Sequence, residues 1–122
     1  MAKVILVADD DPRVRKLLCE VFEREAGYEL CEQAKNGKEA IEIAIRCHPD
    51  LIILDFSMPV MSGIAAAKQL KPLMPNVPII LFTLHDNALQ GQASILSSLI
   101  DRIVPKTEID TLLFHVHQLA PV

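Results

Sequence analysis

The chain has 122 residues, 51% of them hydrophobic and 23% charged, with a formal net charge of −4. That length suits one domain, residues 1–122, and that composition supports a packed core and excludes a disordered chain. No apolar run reaches the ~20 residues of a membrane span, and no basic run offers a surface for nucleic acid, so neither a membrane nor a nucleic acid is an expected partner.

The first apolar run is KVILVA (3–8). It is short, carries one lysine and ends in acids without a small-residue cleavage site, so it reads as a strand rather than a secretion signal. Asp9, Asp10 and Asp11 follow, then Pro12. Asp11 suits the N-cap of a helix that Pro12 begins, with Val14, Leu17, Leu18, Val21 and Phe22 on its inner face. YELCEQA (28–34) is mixed in polarity and suits an edge strand. Asn36 is placed to cap a second helix, with Glu39 three residues on and Ile41, Ala44 and Ile45 facing in.

LIIL (51–54) and PIILF (78–82) are continuous apolar runs, as strands covered on both faces require. Between them Ser62 suits the cap of a third helix carrying Ile64, Ala67 and Leu70, which Pro72 kinks or ends. A fourth helix near Asn87–Ser98 is weaker, with Gly91 inside it and a thin apolar stripe. IDRIV (100–104) is a short mixed strand. Thr107 is expected to cap the last helix, with Asp110 at the third position and Ile109, Leu112, Leu113 and Val116 facing in.

Five strand–helix units in this length predict an open, doubly wound α/β fold; an eight-unit barrel needs roughly twice the chain. In such a sheet, ligands bind beyond the carboxyl ends of the strands. The residues found there are Asp9 and Asp10 after the first run, Asp55 after the third, Thr83 after the fourth and Lys106 after the last. Two unit charges ~4 Å apart repel by about 1 kcal/mol in water and about 4 kcal/mol at an effective dielectric near 20. Clustered carboxylates therefore call for a cation. Hard oxygen ligands without a nearby His or Cys pattern favour Mg²⁺ or Mn²⁺ over zinc. A carboxylate beside such an ion can attack phosphorus, while a hydroxyl and an ammonium hold the other phosphoryl oxygens.

These segments carry a resemblance that spans essentially the whole chain. VADDDP (7–12) is similar to the paired acids of response-regulator receiver domains in two-component signalling, IILDFSMPVMSG (52–63) to their phosphoacceptor segment, and FT (82–83) and PK (105–106) to their hydroxyl and lysine sites. The resemblance implies a flavodoxin-like, CheY-like five-stranded parallel sheet of order 2-1-3-4-5 with helices on both faces. It implies that Asp55 is the phosphoacceptor, that Asp9, Asp10, Asp55 and the Ser57 main-chain carbonyl hold Mg²⁺, and that Thr83 and Lys106 contact the phosphoryl group. Met58, Pro59 and Gly63 shape the loop after Asp55. It further implies a phosphoacceptor signalling domain rather than an enzyme, cytoplasmic, served by a histidine kinase or histidine phosphotransfer protein, and acting through a C-terminal output domain or a separate effector.

Four departures fall in the last third. Ile103 stands where the family usually has an aromatic switch residue, and Leu84 where a small residue usually follows the threonine. SSLID (97–101) replaces a glycine-bearing turn, and Thr107 rather than proline follows the lysine. They keep open an alternative: a receiver-like interaction module with weak or atypical phosphorylation coupling. Any conformational response is expected in Leu84–Gly91 and the weak fourth helix, with Ile103 nearly still. A haloacid-dehalogenase-type phosphatase is disfavoured, because Ser57 stands where that class has a second acid. His85 sits two residues past Thr83, where the family tunes dephosphorylation; a bland loop role is equally weighted. His115 and His117 diverge around their helix and make a poor metal pair. Cys19, Cys31 and Cys47 are an odd count with no close spacing, so free packing thiols in a reducing cytoplasm are expected, without a redox role.

Overall fold

The computed structural model describes residues 2–84 and 93–122. Its elements follow in chain order: β1 (Lys3–Ala8), α1 (Pro12–Glu23), β2 (Tyr28–Leu30), α2 (Gly37–Cys47), β3 (Leu51–Leu54), α3 (Gly63–Leu73), β4 (Ile79–Thr83), α4 (Ala93–Leu99), β5 (Arg102–Pro105) and α5 (Ile109–Leu119). The strands form one parallel sheet of order β2-β1-β3-β4-β5, the order the resemblance implies.

The continuous apolar runs are explained by how they divide. Leu6, Ala8, Ile52, Leu54, Ile79 and Leu81 enter a cluster with α2 and α3 on one face. Their neighbours Ile5, Val7, Leu51, Ile53, Ile80 and Phe82 enter a second cluster with α1 and α5 on the other. Successive strand side chains point to opposite faces, so a sheet covered on both sides needs apolar residues at every position. On α3, Ala66 and Ala67 are fully buried, and their small side chains let that helix lie close to the sheet.

The helix starts follow local chemistry. Asp11 accepts from Arg13 N, Asn36 from Glu39 N and Ser62 from Ala65 N, each satisfying a donor that the first turn leaves unpaired. Glu39 Oε1 accepts from Lys35 N at 3.0 Å, one residue earlier than a standard capping box. Pro72 lies in the last turn of α3, which ends one residue later.

Several expectations are corrected. Thr107 does not cap α5. Glu108 N bonds to Pro105 O at 3.0 Å, so a turn uses up residues 105–108 and the helix begins at Ile109 with Glu108 at its N-cap and no side-chain cap. On α2 the buried face is Gly37, Ala40, Ile43 and Ala44, whereas Ile45 is 51% exposed. On α1, Leu18 and Phe22 are buried but Leu17 is exposed. The β2 ladder stops at Leu30; the chain leaves at exposed Glu32 and rejoins β1 at an isolated Ala8–Ala34 bridge. The last strand begins at Arg102 because Ile100 N still bonds to Leu96 O, and Asp101 is held by Ile79, whose N–H donates to Asp101 Oδ2 at 2.8 Å.

Register differs between the two ladders that flank β4. The β3–β4 pairing runs from Ile52–Ile79 to Leu54–Leu81, while β4–β5 continues to Thr83–Pro105.

Candidate functional site

Asp9 and Asp10 leave the end of β1, and Asp55 leaves the end of β3 next to it. Asp55 N donates to Ala8 O at 2.9 Å, so the sheet ladder itself sets the two strand ends side by side. One carboxylate oxygen from each of Asp9, Asp10 and Asp55 lies within 4.8 Å of the others. Lys106 reaches the cluster from the end of β5, with Nζ 2.8 Å from Asp9 Oδ2 and 3.3 Å from Asp55 Oδ1. Asp9 is held further by Asp11 N, which donates to its Oδ1 at 2.9 Å. A cleft opens over these groups, lined by Asp10, Asp11, Pro12, Asp55, Ser57, Leu84 and Lys106.

The charges do not balance. Asp9 and Asp55 are buried and Asp10 is exposed, and Lys106 is the ammonium that contacts them among the described residues. Burial, then the charge of Asp9, pushes the Asp55 carboxyl up to about 6, although Lys106 pulls it down. Burial works against the Lys106 ammonium, but the hydrogen bond and charge of Asp9, joined by Asp55, outweigh it and hold its pKa above the ordinary lysine value. A buried carboxylate this poorly compensated is what a divalent cation relieves. The donor set is all hard oxygen, so the residues fit magnesium.

The loop after Asp55 is held by close backbone approaches. A Cβ on Gly63 would run into the Asp55 carbonyl oxygen, and one on Gly37 would lie 2.6 Å from Met61 O. Gly37 N donates to that same Met61 oxygen at 2.9 Å, tying the start of α2 to this loop. Val60 adopts a left-handed φ of 67° at its exposed tip.

Thr83 ends β4 fully buried, and its carbonyl accepts from Lys106 N at 3.0 Å. The cleft wall at that strand end is the next residue, Leu84. Ser57 is exposed on the cleft and Ile103 is 40% exposed on β5. His85, Gly91 and the first part of the expected fourth helix lie outside the described residues, and with them most of the segment expected to respond.

Sequence reading missed Arg15, whose Nη1 donates to the Asp9 carbonyl at 2.7 Å from the first turn of α1. Its only sequence signal is its place one turn from the acids. The histidines make no pair: His117 Nε2 sits 3.1 Å from Glu25 Oε1 and its Nδ1 3.2 Å from the Tyr28 hydroxyl, which donates to Ala120 O.

Comparison with known proteins agrees with this geometry. The family described as "Response regulator receiver domain" matches residues 5–117. A protein-glutamate methylesterase/protein-glutamine glutaminase of Vibrio cholerae is 42% identical over 90 residues, which are 72% of this chain and 24% of that protein. The chemotaxis protein CheY of Thermotoga maritima is 38% identical over 81 residues, 66% of this chain and 67% of that one. The chain thus spans about a quarter of the methylesterase it matches. Among solved structures, the Thermotoga maritima response regulator TrrA in complex with Mg²⁺ and BeF superposes with a TM-score of 0.85 at 36% identity, covering 96% of this chain and 98% of that one. The receiver domain of Thermotoga maritima CheB gives a TM-score of 0.88 at 24% identity, a likeness of fold alone. With acids, threonine and lysine gathered at one sheet edge and the match running over residues 5–117, this chain belongs to the response regulator receiver domain family.

Proposed function

We propose that residues 1–122 form a single cytoplasmic receiver domain that takes a phosphoryl group from a phosphohistidine onto Asp55. The observation that supports this most is the state of Asp55: buried, pushed up to about 6, and 3.3 Å from Lys106 at the floor of an open cleft. An Asp55 carboxylate oxygen attacks phosphorus, the phosphorus–nitrogen bond breaks, and the leaving imidazole nitrogen takes up a proton. Asp9, Asp10, Asp55 and the Ser57 main-chain carbonyl would hold magnesium, which supplies positive charge to the phosphoryl oxygens when bound. Lys106 already contacts Asp55, so the new negative charge arrives beside an ammonium. Thr83 supplies a hydroxyl from the strand that β5 pairs with.

The domain acts as a phosphoacceptor rather than an enzyme on an external substrate. Its donors are a histidine kinase or a histidine phosphotransfer protein, and its output passes to a C-terminal domain or a separate effector. Incubation with acetyl phosphate and Mg²⁺, followed by intact mass, tests the reading. One phosphoryl addition is expected, absent in Asp55→Asn and absent with chelator. Equal phosphorylation of Asp55→Asn would place the nucleophile elsewhere.

A further inference from the structure

Asp9 is held at every polar atom. Its N–H donates to Ala34 O at 3.0 Å, its Oδ1 accepts from Asp11 N at 2.9 Å, and its Oδ2 lies 2.8 Å from Lys106 Nζ. Its carbonyl oxygen accepts from Arg15 Nη1 at 2.7 Å, the short distance of a charge-assisted bond. Asp10, the next residue, is different. It is exposed, and its carboxylate has no hydrogen-bond or ion-pair partner among the described residues.

The two facts are connected by the peptide between them. The Asp9 carbonyl and the Asp10 nitrogen belong to one rigid plane. A donor on that oxygen therefore sets the plane from which the Asp10 side chain departs. Arg15 stands half-buried in the first turn of α1, with its own N–H on Asp11 O at 3.2 Å, so the donor is itself fixed. Its guanidinium makes no ion pair with the acids among the described residues, whereas Arg13 pairs with Asp11 and Lys106 with Asp9 and Asp55. Arg15 thus fixes backbone and leaves the Asp10 carboxylate uncompensated.

We propose that Arg15 is a positioning residue for magnesium: through the Asp9–Asp10 peptide it presents the Asp10 carboxylate to the ion. This rests on the reading of the cleft as a magnesium-dependent phosphoacceptor site. Groups that orient a metal ligand commonly carry about tenfold to a hundredfold in affinity. The sign separates positioning from simple charge. An arginine acting only as a nearby cation would repel magnesium, and its removal would tighten binding. A positioning residue gives the opposite result.

Magnesium titration of the whole protein, followed through the amide signals of Asp10 and Asp55 by nuclear magnetic resonance, is the test. Arg15→Met keeps the apolar stem and removes donor and charge, and its magnesium Kd should rise about tenfold. Arg15→Lys keeps the charge but replaces the planar fork by a point ammonium, and its Kd should rise at least about threefold. In an Asp10→Asn background, Arg15→Met should change Kd by less than about twofold, because the ligand it presents is already altered. Equal or tighter magnesium binding in Arg15→Met, or an undiminished loss in the Asp10→Asn background, would overturn the proposal. Where urea denaturation finds Arg15→Met unfolded, Arg15→Lys decides alone, and wild-type affinity there overturns it. Wild type that binds no magnesium would overturn both this role and the reading of the cleft beneath it.

Discussion

Removing the Asp55 charge should stabilise the metal-free protein. The carboxyl has a pKa of about 6 in the fold against a reference of 3.8, a rise caused first by burial and then by Asp9. That difference of roughly 2.2 units, at about 1.4 kcal/mol per unit, makes ionising Asp55 cost about 3 kcal/mol of stability. The folded pKa is the higher one, so the favourable contribution is complete below about pH 4 and is lost as pH rises through about 6. In Asp55→Asn the neutral amide resembles the protonated acid at every pH. In urea denaturation with chelator at pH 7.5, this variant should therefore exceed wild type by about 3 kcal/mol, and by less than about 1 kcal/mol at pH 4. Magnesium should narrow the gap at pH 7.5, because binding to the wild-type fold adds about 2.7 kcal/mol at a hundred times Kd. A wild type as stable as the variant in chelator at pH 7.5 would refute the claim that this carboxylate is poorly compensated.

Asp10→Asn removes the exposed member of the acid cluster, and magnesium affinity should fall at least about tenfold by calorimetry, as loss of a charged ligand to a hard cation implies; unchanged affinity would count against this ligand set. Gly63→Ala places a methyl against the Asp55 carbonyl, so it should destabilise the fold by about 2 kcal/mol or more, read as a lower urea midpoint. A near-neutral Gly63→Ala would mean that the loop after Asp55 yields easily.

What could be read from sequence depended on how local its cause was. The N-caps Asp11, Asn36 and Ser62 bond two or three residues ahead, so their chemistry is present in a short window. Thr107 misled because a turn between Pro105 and Glu108 comes first, and either residue type can precede a helix. On α2, isoleucines at 41, 43 and 45 ring the helix, so periodicity alone does not choose a face; packing against the sheet selects Ile43 and leaves Ile45 in water. The acids at the strand ends were legible because parallel topology gathers such positions on one edge, whatever their distance in sequence. Arg15 on the Asp9 carbonyl and Gly37 against Met61 depend on which helix lies beside which strand end, and spacing does not carry that information.

The different extents of the two ladders around β4 decide how the two halves of the site are joined. Beyond Leu81 the β3–β4 register ends while β4–β5 pairing continues through Phe82–Val104 and Thr83–Pro105, so the buried end of β4 is held by β5 and by core packing. Thr83 and Lys106 ride on this pair of strands, joined through the Lys106 N–H and the Thr83 carbonyl. Asp9, Asp10 and Asp55 ride on the neighbouring pair of strands, joined through Asp55 N and Ala8 O. The two groups belong to strand pairs whose connecting ladder stops at Leu54–Leu81, short of the charges, and the Lys106 ammonium spans the gap to Asp9 and Asp55. A new charge on Asp55 thus meets the β5 end directly, through the Lys106 ammonium rather than along a ladder rung, and the Lys106 N–H ties that contact to the Thr83 backbone.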